Sequence, residues 1–369
     1  MSDVTPPAGP SGDPRLIKGR SRVWARVILF LCLASVMVYV GVAAQQTMQS
    51  KEIVRRSQNH AMASAGLSIR GPKTLASKFT DKQGRLLADA PESADQWINP
   101  DILVVAHIAG ADETPGNSWA EWEARLAKVT GKKVVDQTYI NSADQIAAAG
   151  SGKVTLLALH AADAPFLVNN YGFQPLAVLG DQSGINGKRL DLIVPAASPI
   201  AKPADLKGHR LVCTVPSSIT GYRAAIAYLM QDQSLRPNVD YEIIWSTGQK
   251  HSITGIAEKK YEAAAVSDEK LESLLAKDTV EAAQYRVIYQ SPVIPRTTIG
   301  YFYNLNPVLA EQLRQAILSP GPTTGPTIAS DRLSFMPVDY KRDFQFVREI
   351  DDQFDPRFDA QAQKDARND

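Results

Sequence analysis

Within VPSSITGYRAAIAYLM, residues 215–230, three hydroxyl side chains, Ser217, Ser218 and Thr220, crowd ahead of Gly221 where an apolar strand runs into a helix. The first four N–H groups of a helix have no partner inside it, and the helix dipole adds roughly half a positive charge at that end. Hydroxyls placed there either cap the helix by accepting from those N–H groups or join them in donating to a bound anion. The residue types leave both uses open. Other groups able to do chemistry are sparse. The five His residues include no pair at i, i+4 and no HExxH, so a zinc enzyme has no support. Cys32 lies in an apolar run and Cys213 in an apolar strand, which gives neither a disulfide framework nor a metal site. No nucleophile–base pair, phosphate loop or metal cluster stands out, so the reading is a non-enzymatic protein without cofactor or metal.

The elements that must position the hydroxyl turn repeat along the chain. Lys and Arg number 40 against 39 Asp and Glu, and this balance excludes nucleic acid as the expected partner. From residue 100, short apolar runs alternate with helical segments, the pattern of a parallel α/β sheet. Strands are expected at 101–110, 132–139 and 153–160, with helices at 118–131 and 142–152, the second capped by Ser142. A second set follows, with a strand at 211–215, the helix opened by the hydroxyl turn, strands at 241–246 and 261–267, and helices at 252–260 and from Asp268 to Leu275. Two extended segments, 189–196 and 297–304, bracket this second set and are expected to be the crossovers between two lobes. The first lobe then comprises 99–190 and 304–350, the second 191–303, and 351–369 is a polar tail. Two lobes joined by two crossing strands close around a ligand in the cleft between them.

Before the lobes, residues 27–44 carry no charge over 18 positions, enough to span a bilayer core, and Arg15, Lys18, Arg20, Arg22 and Arg26 precede them. The favoured reading is one N-terminal transmembrane helix held in the inner membrane, with residues 1–26 as a disordered cytoplasmic tail and everything after it outside the cytoplasm. A cleaved signal peptide is the rival, because Val42 and Ala44 are small residues before a plausible cut. Residues 45–98 are polar and broken by Gly71, Pro72 and Pro91, and read as a stalk. Within it DKQGRLLAD, residues 81–89, offers Asp81 and Asp89 but no terminal Glu, and reads as a solvated turn rather than a calcium loop.

The ordered stretches LDLIVPAASPIAKPADLKGHRLVCTVPSSITGY, YEAAAVSD and SPVIP resemble the phosphate, phosphite and phosphonate solute-binding proteins of ABC transporters, within the type II periplasmic binding proteins. The resemblance covers about residues 100–350 and implies a two-lobed α/β fold with a two-strand hinge, a small oxyanion ligand and an ABC permease partner. It places Ser218, Ile219 and Thr220, ahead of Gly221, as the oxyanion-binding triplet, with Ile219 offering only its N–H. It also implies roles for His251, one position later after Gly248 than the family pattern, and for Asp268 as acceptor of a ligand proton or partner of a ligand amine. From the first lobe it implies His107, His160 and Tyr171, although His stands where the family has an aromatic and LHAADAP lacks a hydroxyl-rich loop. The resulting pocket contains no Arg, so neutral donors and a helix dipole would hold the anion, and Asp268 would exclude sulfate. The alternative role is a receptor that reports oxyanion occupancy to a membrane partner.

Overall fold

The computed structural model describes residues 73–108, 118–181, 184–318 and 334–354, together with Met37. The tail 1–26, the anchor 27–44 apart from Met37, and residues 45–72 of the expected stalk lie outside the described residues. Among the described residues no helix is long and apolar enough to cross a membrane.

The first sheet is built from β1 (Ile102–Ile108), β2 (Lys133–Tyr139), β3 (Leu156–His160), β4 (Phe173–Asp181) and β5 (Gly184–Ile185), completed later by β13 and β14. Between β1 and β2 runs α1 (Ser118–Thr130), between β2 and β3 α2 (Ser142–Gly150), and after β3 α3 (Ala164–Tyr171). The chain then passes β6 (Gly187–Lys188) into β7 (Leu190–Pro195) and β8 (Arg210–Cys213), followed by α4 (Ala224–Gln231), β9 (Glu242–Trp245), α5 (Gln249–Ala257), β10 (Ala263–Ser267), α6 (Asp268–Leu275) and β11 (Tyr285–Gln290). It returns through β12 (Ile294–Pro295) to β13 (Thr297–Phe302), α7 (Pro307–Leu318), β14 (Ser334–Pro337), α8 (Tyr340–Asp343) and α9 (Gln345–Gln353).

Strand order is β14-β4-β13-β3-β1-β2 in the first sheet, with β5 on β4, and β11-β7-β10-β8-β9 in the second. Both sheets are mixed. β1 runs parallel to β2 and β3, and β8 parallel to β9 and β10, but β13, β4, β7 and β11 pair antiparallel. The expected parallel β-α-β-α-β unit is present at 102–160, and each sheet is finished by antiparallel strands.

The hinge is not where the apolar segments suggested. β7 fills the middle of the second sheet with Leu190, Leu192, Ile193 and Val194 fully buried, and β13 lies inside the first. The crossings are the residues just outside them, where Lys188 of β6 pairs with Ile294 of β12 and Gly187 with Pro295. A Cβ on Gly187 would run into the Ile294 carbonyl and the Val293 side chain, so close approach of the two chains requires glycine there.

Each sheet is covered on both faces. Trp122, Leu126, Leu309 and Leu313 of α1 and α7 pack on one side of the first sheet. Ile253, Ile256, Leu271 and Leu274 of α5 and α6 do the same for the second. The remaining core is shared, because Leu157 and Phe173 of lobe 1 and Leu192 and Tyr222 of lobe 2 join one cluster with Phe344, Val347, Ile350 and Phe354. Helix α9 touches both α3 and α4, so it straps the back of the two lobes. Residues 351–354 of the expected polar tail therefore belong to this body, since Phe354 is buried against Tyr222, and the rest of that tail lies outside the described residues.

Residues 73–98 also belong to the folded body rather than to a stalk. Ala76 N–H donates to Asn169 O (2.8 Å), Gln174 Nε2 to Ala88 O (2.9 Å) and Ile98 N–H to Asn304 O (2.8 Å). In the turn 81–89, Asp81 accepts from the N–H groups of Arg85 and Leu86, and Asp89 from Thr80 and Lys82, so these carboxylates serve their own backbone.

Candidate functional site

The hydroxyl turn leaves β8 and enters a five-residue π-helical turn, Ile219–Arg223, before α4. Such turns are uncommon and occur often at functional sites. Ser218 Oγ accepts from Gly221 N–H (3.0 Å), so Ser218 does cap the turn. Its own O–H remains able to donate, and the two readings of the stretch coexist. Gly221 is held tight from behind. Its carbonyl accepts from Thr214 N–H (2.9 Å), and a Cβ there would overlap Thr214 Oγ1.

This turn forms one wall of a cavity of about 510 Å³. Ser217, Ser218, Ile219, Thr220, Arg223 and Gln249 line it from lobe 2. Asn141, Ser142, Ala143, His160, Ala161, Ala162 and Asp163 line it from lobe 1, and Lys188, Ile294, Pro295 and Arg296 from the hinge. The fold puts these residues together because β3 and β8 both end at the cleft, which is where ligands bind in open α/β sheets. The starts of α2, α3 and α5 and the π-turn before α4 all meet there. Gln145 anchors α2 from behind by donating to Ala106 O (3.2 Å) of β1 and Ala158 O (2.8 Å) of β3. Asn141 Oδ1 caps the same helix through Asp144 N–H (2.9 Å).

On lobe 2, Gln249 Nε2 donates to Thr220 Oγ1 (3.2 Å) and Gln249 Oε1 accepts from Ser267 N–H (2.8 Å). Thr220 is buried, and this chain of bonds fixes its side chain. An adjoining recess of about 400 Å³ shares Lys188, Thr220 and Gln249 with the main cavity and adds Ser267, Glu269 and Lys270.

Of the expected site residues, Ser218, Ile219, Thr220 and His160 line the cavity. Gly221 supports the turn from behind. The other four stand elsewhere. His251 is exposed and bonded to Thr247 Oγ1 (2.7 Å), because two steps along a helix rotate it about 200° from Gln249, which takes the cleft position. Asp268 Oδ1 accepts from the N–H groups of Arg189 (2.9 Å) and Glu269 (2.8 Å), so it pins the entry of β7 to the start of α6. His107 is turned to β2, with Nε2 at 2.8 Å from Asp136 Oδ1. Tyr171 ends α3, about 10 Å along the helix axis from its cleft end, and packs beside Phe166.

The expectation of a pocket free of Arg is overturned, because Arg223 and Arg296 both line it, together with Lys188. Arg223 Nε donates to Pro216 O (3.1 Å) and its guanidinium lies over the Phe354 ring, while Arg296 pairs with Glu269. Burial pushes the Lys188 ammonium below its ordinary pKa, the Arg296 charge does likewise, and Asp268 opposes them. Asp163 is the carboxylate that lines the main cavity. Lys188, Arg223, Gln249, Arg296 and Asp163 escaped the sequence reading. For Arg296 the signal lay one residue beyond the SPVIP stretch.

A cleft between two α/β lobes, rimmed by helix starts and cations, is built for an anion. Residues 111–340 match the family model described as the phosphonate periplasmic substrate-binding protein of ABC transporters. The chain belongs to this family. It is 24% identical over 160 residues to the phosphonates-binding periplasmic protein of Escherichia coli K12, an alignment covering 42% of this chain and 47% of that protein, about half its length. A Xanthomonas citri protein solved bound to ATP shares the fold with a TM-score of 0.52 and 15% identity, covering 68% of this chain and 98% of its own. A methylphosphonate complex from Prochlorococcus marinus aligns at TM-score 0.44 and 12% identity, over 69% of this chain and 100% of its own. Members of this family are solute-binding proteins rather than enzymes, with their binding domain outside the cytoplasm.

Proposed function

We propose that this chain captures a phosphonate, phosphite or phosphate anion in the interlobe cleft and presents it to an ABC permease. The observation that carries the reading is the meeting of four helix starts, those of α2, α3 and α5 and the turn before α4, on one cavity crossed by a short hinge. Ser217, Ser218 and Thr220, with the N–H groups of their turn, are the lobe 2 donors; Asn141, Ser142 and the α3 start are the lobe 1 donors. The E. coli relative is named for phosphonates, which supports that ligand class. Residues 27–44 tether the binding domain to the membrane in this reading, on the strength of their uncharged length and the basic residues before them.

Calorimetric titration of the purified chain with methylphosphonate, phosphite, phosphate and sulfate tests the ligand. Saturable binding to at least one phosphorus oxyanion is expected, with a smaller radius of gyration by small-angle scattering at saturation. No binding to any of them removes the reading. Carbonate extraction of membranes tests the tether, and recovery of a soluble form starting near Gln45 removes it.

A further inference from the structure

We infer that Lys188 binds the ligand and tunes the cleft to phosphoryl or phosphonyl groups that carry two negative charges. The inference rests on the oxyanion-binding reading above and names the charge class that the site takes.

Three cations line the main cavity, and two are already committed. Arg296 is paired with Glu269, and Arg223 donates to the Pro216 carbonyl and lies over the Phe354 ring. The Lys188 ammonium makes no hydrogen bond or ion pair with the described residues. Asp268 is a countercharge acting on it, but the Asp268 Oδ1 is taken up by the N–H groups of Arg189 and Glu269. A half-buried ammonium beside Arg296 gains from a bound countercharge. An anion in the cleft supplies the missing partner.

Position strengthens the case. Lys188 sits on β6, in the hinge ladder itself, and lines both the main cavity and the adjoining recess alongside Thr220 and Gln249. A group held by the hydroxyl turn therefore meets Lys188 from the hinge side. Hydroxyls and helix N–H groups carry partial charges and suffice for a monoanion, whereas a full ammonium strengthens with each further charge on the ligand. Lys188 is the residue that distinguishes the two.

The test holds pH constant and changes charge on the ligand. Full-length wild type, Lys188→Met and Lys188→Gln are titrated calorimetrically with methylphosphonate, doubly ionised at mildly alkaline pH, and with its monomethyl ester, which carries one charge. Wild type is expected to favour methylphosphonate by about tenfold or more. Both variants should lose about tenfold for methylphosphonate, change less than about threefold for the ester, and melt at or above the wild-type temperature. Equal wild-type affinity for the two ligands overturns the role of Lys188 while leaving the oxyanion reading intact, and so does a preference that survives both substitutions. Wild type that binds neither ligand overturns the inference together with the reading beneath it.

Discussion

On the lobe 2 side of the cleft, Thr220, Gln249 and Ser267 form one hydrogen-bonded chain across three elements, and Ser218 is locked to Gly221. On the lobe 1 side, the Asn141 side chain bonds, among the described residues, within its own helical turn to Asp144, and support comes from Gln145 behind the wall. The difference separates a wall ordered before ligand arrives from one made of helix starts that closure must bring up. Preorganised donors lose little freedom on binding and so return most of their interaction energy as affinity. Lobe 2 is therefore expected to hold the anion first and lobe 1 to cover it.

The largest break in this comparison is expected at Gly221. Gly221→Ala pushes a methyl group into Thr214 Oγ1 and close to Ser218 Oγ, so overpacking should lower stability by about 1–3 kcal/mol and weaken binding by more than about 100-fold. A denaturation curve beside a titration reads both. Gln249→Ala comes next. It strands the buried Ser267 N–H and frees Thr220, and a loss of about 1–3 kcal/mol, or roughly 5- to 150-fold in affinity, is expected by calorimetry. On lobe 1, Asn141→Ala removes a cap, which should lower the melting free energy by about 1 kcal/mol and affinity by only about 2- to 10-fold, seen mainly as faster release in stopped flow. A lobe 1 effect as large as that of Gln249 breaks the assignment of roles. The smallest effect is expected for His251→Ala, within about twofold of wild type, because the imidazole is exposed and bonded to Thr247.

The residues that were legible in the sequence are those whose signal is local. The 215–221 turn announces a helix start through cap chemistry, and the apolar runs at 102–108 and 156–160 announce buried strands with turn signals beside them, whereas the cap expected at Ser142 falls one residue earlier, on Asn141. The hinge was misplaced because RLDLIVPA is more apolar than the real crossing, and an apolar run reports burial, not connection. A two-residue ladder such as Gly187–Lys188 against Ile294–Pro295 has no periodicity to read. Lys188 and Arg296 share a cavity through that long-range pairing, which explains why a pocket lined by cations reads in the sequence as one without Arg. His251 and Gln249 illustrate a finer limit, since a shift of two positions on α5 exchanges cleft for solvent.

Arg223 belongs to two surfaces at once, lining the cavity and lying over Phe354 at the end of the α9 strap. A ligand that engages Arg223 is consequently expected to act on the seat of α9 as well. Any factor by which a docked helix improves affinity is the factor by which ligand tightens the docked helix. A fluorophore on α9 is therefore expected to report occupancy of the cleft, through a side chain that the ligand and the helix share.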